Sequence, residues 1–531
     1  MKNSTEVPSL SERVLAGPKK TLASFIVWAG EEKFRPFDLF VLALYMFAVG
    51  FGIRFHEPWS DEALPWIIAR DTDWRGFLEM IFHNWDRHPG LFHVILLPFV
   101  KAGFPYYTQS LLNGFFAFLA AFLLLAKAPF PRFFRYLFLF SYYMLYEYSV
   151  IVRPYMLAVL LLFVLAVFYP RREKKPLTYA LGVALLFHSD YMVFGLGVGL
   201  TLAYLLEYGN FFKVKPRLAV AFAVMALNGL LVGWMAHALP AGHGEYGHKL
   251  AFHLLNGAKP LANAFFPFSD LGPHAAFAFP AAVFAGCVGV IGACVSLVRR
   301  PVPSLILGVS LAYLFTIFAF FHGGDYRNHG FILLSVLFTL WIARDPGENP
   351  PRDAGSPRGL RPWPARLMFL ITGLCLLLGF QNLSFVYLLE YHLPFSGARD
   401  MARDIAKLET EHKIFEQGFV VVSPHKNSVG LMPYLPGVKF WNPCTGNYAE
   451  YYRLTRETSR CNDISETEAL QIAKWYFKDL RRFLFLFRKP LPVLSDADYE
   501  YQEIYQVGHA FGHWQETFFL YRALPRDGSP K

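Results

Sequence analysis

Between residues 37 and 389 the chain consists largely of apolar runs separated by short polar connections. A helix of about 20 apolar residues spans the hydrocarbon core of a bilayer. Several runs are shorter, and we expect their helices to extend into flanking aromatic residues. The pattern predicts a polytopic α-helical membrane protein with about eleven crossings. The runs are Phe37–Ile53, Thr108–Ala126, Tyr136–Ser149, Pro154–Tyr169, Leu177–Phe187, Asp190–Leu206, Arg217–Ala236, Ala275–Val298, Pro303–Phe321, Gly330–Ala343 and Ala365–Leu389.

The composition agrees with a membrane protein. Hydrophobic residues make up 54% of the 531-residue chain and charged residues only 17%, below the ~25% typical of soluble proteins. The net charge of +10 could suggest a nucleic-acid partner. The basic residues, however, lie in short clusters between apolar runs, which is the distribution that orients helices in a bilayer. We therefore expect a membrane and no nucleic acid as the partner.

The basic clusters fall on one side of the membrane if the eleven runs cross it alternately. Under the positive-inside rule this side is the cytoplasm. The first run then acts as a retained signal anchor, the C-terminus lies outside the cytoplasm, and a bacterial inner membrane is the expected location. The clusters are Lys19, Lys20, Lys33 and Arg35; Lys127, Arg132 and Arg135; Arg171, Arg172, Lys174 and Lys175; Lys213, Lys215 and Arg217; and Arg299 with Arg300.

The stretch Gly90–Phe104 decides whether this topology holds. It is apolar but only about fifteen residues long, a length that suits an interfacial or re-entrant helix. If it crossed the membrane, the basic loops at Arg132 and Arg171 would change sides. We favour the interpretation in which it does not cross.

Three regions follow from this topology. Residues 1–36 form a cytoplasmic segment, residues 37–389 a transmembrane domain whose first outer loop is 54–107, and residues 390–531 an extracytoplasmic α+β domain. In the last region we predict a helix over Ala398–His412 and strands over Phe419–Ser423, Phe483–Phe487, Tyr501–Val507 and Glu516–Tyr521. Cys444 and Cys461 lie in this domain and could form a disulfide outside the cytoplasm, or remain two free thiols.

Polar residues interrupt the apolar pattern at several places that the topology assigns to the outer face. Each has a simpler explanation by itself: Ser60, Asp61 and Glu62 suit the start of a helix, and Arg153 could snorkel to the interface. Together they supply a carboxylate base, arginines that can hold a phosphate, and candidate ligands for a divalent cation. They are Asp61, Glu62, Asp86, His88, Glu147, Arg153, Tyr155, His188, Asp190 and Arg327.

Three of these segments resemble motifs of the GT-C superfamily of membrane glycosyltransferases, in the branch of protein O-mannosyltransferases and lipid A aminoarabinose transferases. Asp61-Glu62 is similar to the acidic pair after the first helix. Asp86-Arg87-His88-Pro89-Gly90 resembles an Asp-x-His-Pro-Pro element, with Gly90 in place of the second proline. Arg153-Pro154-Tyr155 resembles an element at a helix entry, and the resemblance extends over roughly residues 35–210.

The resemblance implies a sugar donor linked to polyprenyl phosphate and an acceptor hydroxyl on a lipid, a glycan or a protein. Asp61 would be the general base, with Glu62 as a second catalytic carboxylate, and the reaction would invert the anomeric carbon. Asp86, His88, Arg153, Tyr155, His188, Asp190 and Arg327 would bind substrate. Members of the superfamily differ in metal use, so a divalent metal is left undecided, with Asp61, Glu62, Asp86 and His88 as candidate ligands.

Two other classes of protein fit the same residues. A transporter or flippase would use intramembrane Arg, Asp and His as a substrate pathway, although the sequence contains no inverted repeat. A non-catalytic scaffold of envelope glycan assembly would use residues 390–531 as its binding module.

Overall fold

The structure is a computed structural model that describes residues 30, 33–83, 86–211, 213–237, 250–271, 274–321, 323–344, 362–449, 464–512 and 516–526. It consists mostly of helices, followed by a C-terminal domain built on one sheet. The helices of the first part, in chain order, are α1 (Pro36–Phe55), α2 (Ser60–Asp71), α3 (Trp74–His83), α4 (Leu91–Lys101), α5 (Thr108–Lys127), α6 (Arg132–Leu139), α7 (Tyr155–Phe168), α8 (Pro176–Phe187), α9 (Phe194–Tyr208), α10 (Pro216–His237), α11 (Leu250–Phe265), α12 (Ala275–Leu297), α13 (Pro301–Thr316), α14 (Tyr326–Arg344) and α15 (Pro362–His392).

Seven helices within the described part of the chain are long and apolar enough to cross a membrane. Shorter apolar helices cover Leu91–Lys101, Tyr155–Arg171 and Pro176–Phe187. Seven helices of the bundle begin at or directly after a proline, namely α1, α8, α10, α13 and α15 and, through Pro131 and Pro154, α6 and α7. Proline suits this position because the first amides of a helix have no intrahelical partner. The seven long candidates are Pro36–Phe55, Thr108–Lys127, Tyr191–Phe211, Pro216–Ala236, Ala275–Leu297, Pro301–Phe321 and Arg366–His392.

The predicted continuous helix over Tyr136–Ser149 is broken in the structure. The eight-residue helix α6 ends at Leu139, and a π-helical turn follows over Tyr143–Glu147. Side-chain hydroxyls from this turn bond to distant elements: Tyr143 donates to the carbonyl of Asn263 at 2.8 Å. Wide turns of this kind are typical of functional sites, because they redirect side chains that a regular helix would place elsewhere.

Contacts of arginine side chains define two ends of the bundle. At the first, which we call the basic end, Arg132 donates to the carbonyl of Lys33 at 2.8 Å and Arg344 to the carbonyl of Pro129 at 2.8 Å. Arg172, beyond the C-terminus of α7, lies at the same end and forms an ion pair with Glu207 at 2.8 Å. The opposite ends of α7 and α14 carry Arg153 and Arg327 and form what we call the site end.

Helix α14 lies at the centre of the bundle. Every residue from Arg327 to Ala343 is buried, so the helix contacts protein on all sides. Ser335 on α14 shares a hydrogen bond of 2.8 Å with Ser310 on α13. Its polar residues are tolerated because they find partners inside the protein rather than facing lipid.

The C-terminal domain contains a six-stranded mixed sheet with the order β3-β2-β1-β4-β6-β5. Strand β1 pairs in parallel with β2 and β4, and the other pairings are antiparallel. The predicted helix over Ala398–His412 and the predicted strand over Phe483–Phe487 are confirmed with the same bounds. The elements are α16 (Ala398–His412), β1 (Val420–Val422), α17 (His425–Ser428), β2 (Phe440–Asn442), β3 (Asn447–Ala449), α18 (Glu466–Tyr476), β4 (Phe483–Phe487), β5 (Tyr499–Val507) and β6 (Phe518–Pro525).

The sheet has an apolar layer on each face, and one layer joins it to the bundle. The central strand β4 is buried along its whole length, and its side chains alternate between the two layers. Leu484 and Leu486 lie in the layer that also contains α16 and the apolar residues of α2 and α3, such as Leu64 and Phe77. The segment 54–107 is therefore packed between the bundle and the sheet.

The predicted disulfide lies partly outside the described residues. Cys444, in the turn after β2, is disulfide-bonded, while Cys461 lies outside the part of the chain that the structure describes. The Cys444–Cys461 pairing stays a prediction. Cys287, Cys294 and Cys375 are free thiols in the bundle helices.

Candidate functional site

Asp61 lies in the first turn of α2, at the site end of the bundle. Negative charge is favourable there because the helix dipole places partial positive charge at its N-terminus. The Oδ2 atom of Asp61 lies 3.5 Å from Nη2 of Arg327, and its side chain is 36% exposed. Asp61 is therefore a carboxylate that both a guanidinium and an incoming molecule can reach.

Glu62, the second residue of the acidic pair, is fully buried, and both oxygens of its carboxylate accept hydrogen bonds from within the protein. Its Oε1 atom accepts from His56 at 2.8 Å and from the backbone of Trp59 at 3.2 Å, and its Oε2 atom accepts from the backbone of Val152 at 2.6 Å. These contacts join α2 to the loop before Arg153. The catalytic role predicted for Glu62 stays a prediction.

His56 lies between two buried carboxylates. Its Nε2 atom contacts Glu62 and its Nδ1 atom contacts Oε1 of Glu390 at 2.7 Å. Burial by itself lowers the pKa of His56, but the charges of Glu62 and Glu390 and their hydrogen bonds outweigh it and raise the pKa to about 10. His56 is thus an imidazolium that ties together the end of α1, the start of α2 and the end of α15.

Arg153 connects Asp61 to a histidine. Its Nη1 atom donates to the backbone carbonyl of Asp61, and its Nη2 atom donates to Nε2 of His88. A guanidinium can only donate hydrogen bonds, so the Nδ1 atom of His88 carries the hydrogen and donates to Asp190 at 3.1 Å. Burial lowers the pKa of Arg153, but the charges of Asp61 and Asp86 raise it above its usual value. Arg153 therefore stays cationic.

Arg327, in the first turn of α14, completes the site. Its Nη2 atom contacts Asp325 at 3.0 Å and Asp61 at 3.5 Å, and its guanidinium lies 5.3 Å from the ring centre of Trp59. The hydroxyl of Tyr148 donates to the backbone carbonyl of Arg327 at 2.8 Å. The Nε and Nη1 atoms of Arg327 have no hydrogen-bond partner among the described residues, although both are buried. Unused donors of a buried guanidinium favour the binding of an anion.

The other predicted residues occupy different places. Tyr155 lies edge-on to His88, with ring centres 6.1 Å apart, and so lines the site. Asp86 is buried and contacts His93 at 3.0 Å. Burial raises the pKa of Asp86, but His93 and the charge of Arg153 lower it below its usual value. Asp86 thus lies beside His93 and adds negative charge near Arg153.

The side chain of His188, which is predicted to bind substrate, contacts helix α10. Its Nε2 atom contacts Oδ1 of Asn228 on α10 at 2.9 Å. Its backbone carbonyl accepts from Leu91, the first residue of α4, at 3.2 Å. His188 therefore positions α4, whereas its neighbour Asp190 is the residue that reaches His88.

The four candidate metal ligands do not converge. Among the described residues, no group of three or more His, Cys, Asp and Glu side chains is arranged to hold a metal ion. Glu62 faces His56, Asp86 faces His93, and His88 lies between Arg153 and Asp190. The donor set around Asp61 therefore does not fit a shared divalent cation, and we derive no step through one.

Sequence reasoning missed His56, Glu390 and Glu516. Glu390 ends a long apolar helix, and an ionisable residue at such a place is a signal that could have identified it. His56 directly follows the end of the apolar helix α1. Glu516, in the sheet domain, reaches the first residue of α2, a contact between segments so distant in sequence that no local pattern indicates it.

The chain matches no protein-family model, and no curated protein is significantly similar to it.

Proposed function

We propose that the protein is a membrane glycosyltransferase that transfers a sugar from a polyprenyl-phosphate carrier to an acceptor hydroxyl, with inversion. The observation that carries this proposal is the pairing of the accessible Asp61 with Arg327, whose Nε and Nη1 atoms have no partner among the described residues. The same end of the bundle thus offers a base and an unfilled anion-binding group.

In the proposed reaction, Asp61 accepts the proton of the acceptor hydroxyl as its oxygen attacks the anomeric carbon of the sugar. The bond between this carbon and the phosphate oxygen breaks, and its electron pair leaves with the phosphate. Arg327 stabilises the developing charge on the phosphate, and Arg153 holds the backbone of Asp61 and adds positive charge nearby. One direct displacement inverts the anomeric configuration.

The topology that we propose places the basic end in the cytoplasm and the site end, with the sheet domain, in the periplasm of a bacterial inner membrane. The eleven crossings would comprise the seven long helices and four shorter segments, namely Arg132–Glu147, Tyr155–Arg171, Pro176–Phe187 and Tyr326–Arg344. Helix α4 has eleven residues, only one fewer than Pro176–Phe187, so length does not separate the two and the contacts of α4 have to decide. Its packing against α2 supports an interfacial position.

The proposed acceptor hydroxyl would approach between the bundle and the sheet domain. Asp61 lies on α2, which is packed under the sheet, so an acceptor at this place would contact both parts of the protein. The lipid of the donor would lie between helices of the bundle, with its phosphate near Arg327. A lipid, a glycan or a protein could carry the acceptor hydroxyl.

The proposal is tested with purified protein in liposomes that contain radiolabelled polyprenyl-phosphate sugars and membrane acceptors. We expect covalent transfer by the parent and a loss of ~10²–10⁴-fold in Asp61→Asn, because the amide cannot take the proton. The matched control is Asp71→Asn at the other end of α2, where Asp71 pairs with Arg70, and it should retain the parental rate. Equal transfer by Asp61→Asn and the parent, or lipid scrambling without covalent transfer, would contradict the proposal.

A further inference from the structure

A charged cavity of about 190 Å³ lies between the C-terminal ends of α1 and α15 and the start of α16. It is separate from the Asp61 site, and its lining includes Arg54, Glu57, Glu390, Tyr391 and Arg399. A cavity of only ~10–15 Å³ is enough to hold a single buried water molecule. The cavity is therefore large enough for a small charged group rather than for one water molecule.

Two buried carboxylates at this cavity each have one oxygen without a partner. Oε1 of Glu390 accepts from His56 and from the hydroxyl of Tyr146 at 2.6 Å, and Oε1 of Glu57 accepts from Nε of Arg399 at 3.0 Å. The Oε2 atoms of both glutamates accept no hydrogen bond from any residue that the structure describes. Both residues are more than nine-tenths buried. Leaving such oxygens unsatisfied is costly, so the site favours a ligand that donates hydrogen bonds.

Negative and positive charges lie at different places around the cavity. Beneath it, Glu62 and Glu390 share the single positive charge of His56, which leaves this buried group with one excess negative charge. At the rim, Arg54 is exposed and makes a cation–π contact with Phe55 at 5.8 Å. A complementary ligand carries a positive group that enters the cavity and a negative group that stays at the rim.

The cavity also opens beside apolar helix faces. Phe47 on α1 is 72% exposed, and Phe385 and Tyr391 on α15 are more than half exposed. Phe51 stacks with Tyr391, with ring centres 6.2 Å apart, and Phe55 meets Tyr391 edge-to-face, with ring centres 5.2 Å apart. Aromatic residues at the end of an apolar helix mark the level of the lipid headgroups in a bilayer. The exposed faces below them suit acyl chains.

We propose that this cavity binds the headgroup of a phospholipid with phosphoethanolamine chemistry. The primary ammonium donates to Glu57 and Glu390, and the phosphate pairs with Arg54. Both Oε2 atoms are buried, and the terminal torsion of a glutamate side chain is soft. Binding therefore requires each carboxylate to rotate, with its Oε1 contacts readjusting as Oε2 turns toward the ammonium. The inference does not depend on the transferase proposal, because it concerns a different cavity and a binding equilibrium.

Headgroups of similar size separate this proposal from general lipid binding. A trimethylammonium group has no N–H and cannot donate to the two carboxylates. A glycerol headgroup carries no positive charge, so Glu57 and Glu390 gain no ion pair from it. We therefore expect an ethanolamine phospholipid to bind at least about tenfold more tightly than choline or glycerol phospholipids with the same acyl chains.

The experiment measures lipid binding to delipidated, detergent-purified protein by native mass spectrometry, with dioleoyl phospholipids that differ only in the headgroup. Glu57→Gln and Arg54→Gln should each reduce ethanolamine-lipid binding about tenfold. Arg54 is exposed, so its replacement leaves folding intact and keeps the test decisive if Glu57→Gln is unstable. Glu468→Gln, on the exposed face of α18, is the matched control and should bind as the parent does.

Three results would overturn the proposal. Choline and ethanolamine lipids could bind equally, or both the Glu57 and the Arg54 variant could bind as the parent does. In a third arm, free O-phosphoethanolamine could bind as tightly as the phospholipid, which would make a soluble headgroup, and not a membrane lipid, the ligand. Headgroup-selective binding that both variants lose supports the proposal.

Discussion

The carboxylate of Glu516 accepts a hydrogen bond from the backbone N–H of Ser60 at 3.3 Å. Glu516 belongs to the sheet domain, whereas Ser60 is the first residue of the helix that carries Asp61. Arg488 and Ser396 hold the same carboxylate, each at 2.6 Å. The sheet domain therefore fixes the N-terminus of α2. At the other end of this helix, Arg70 donates to the backbone carbonyl of Met432 at 2.9 Å.

Replacing Glu516 with Gln should loosen the start of α2. The amide keeps the shape but leaves the charge of Arg488 without its carboxylate, and a charge-assisted contact of this kind contributes about 2 kcal/mol to stability. We expect faster hydrogen exchange over residues 60–71 and a lower thermal midpoint. Glu503→Gln, on the exposed side of β5, should change neither. Unchanged exchange over α2 in Glu516→Gln would show that the sheet domain does not position this helix.

Arg153→Ala should weaken the use of donor more than the use of acceptor. The change removes positive charge beside the proposed phosphate position and frees His88 from its contact with the guanidinium. We expect the KM for the polyprenyl-phosphate sugar to rise at least about tenfold and the KM for the acceptor to change little. Arg75→Ala removes an exposed arginine from the same outer loop and serves as the control. An equal rise of both KM values would indicate a structural role.

Replacing Arg327 with Lys should lower the rate of transfer although the positive charge is retained. A lysine cannot present the Nε and Nη1 donors that the arginine leaves unused, because its ammonium is a single point charge. We expect a loss of ~10–100-fold in kcat/KM, and a larger one for Arg327→Ala. Initial rates at varied donor concentrations measure this loss. Parental rates in Arg327→Lys would exclude a bidentate contact with the donor phosphate.

His56 should make the stability of the protein depend on pH. Its pKa is raised from 6.5 to about 10 in the folded protein, so the stability that it contributes is complete below pH 6.5 and is lost as the pH rises toward 10. We expect the thermal midpoint of the parent to fall over this window and that of His56→Gln to fall less. His412→Gln, an exposed histidine on α16, should behave as the parent. Parallel profiles of His56→Gln and the parent would contradict the shift.

The two ends of the bundle should be accessible from opposite sides of the membrane. Lys175 lies in the loop between α7 and α8 at the basic end, and Thr467 lies on α18 in the sheet domain; both are exposed. With a membrane-impermeant thiol reagent on intact cells, Thr467→Cys should be labelled above the background of the parent, while Lys175→Cys should be labelled only after lysis. Labelling of both variants in intact cells would overturn the proposed orientation.

Local patterns predicted local structure well. The amphipathic spacing of Ala398–His412 and the continuous apolar run Phe483–Phe487 each specify their element without help from distant residues. Helix α18 was missed, although Ser465 followed by Glu468 is a recognisable start signal, and the side chain of Ser465 does accept from the backbone of Glu468. The order of the strands could not be predicted, since the chain crosses between non-neighbouring strands.

The sequence predicted the location of the site better than it predicted the role of each residue there. Alternating topology brought Asp61, Arg153 and Arg327 to one face, and the structure places them in contact. The sequence could not separate Asp61 from Glu62, because adjacent residues on a helix point about 100° apart and only packing decides which one is buried. The broken helix after Leu139 was likewise unpredictable, since its turn is held by contacts with residues far along the chain.

Helix α14 has a consequence for how large molecules can enter. This helix is enclosed by protein, and Arg344 at its far end donates to the carbonyl of Pro129. Arg327 therefore begins a helix that is held along its whole length. Peripheral helices such as α10 and α12 instead present apolar side chains outward. In the proposed reaction, a lipid-linked donor would therefore enter past these outer helices, and its entry would not require α14 to move.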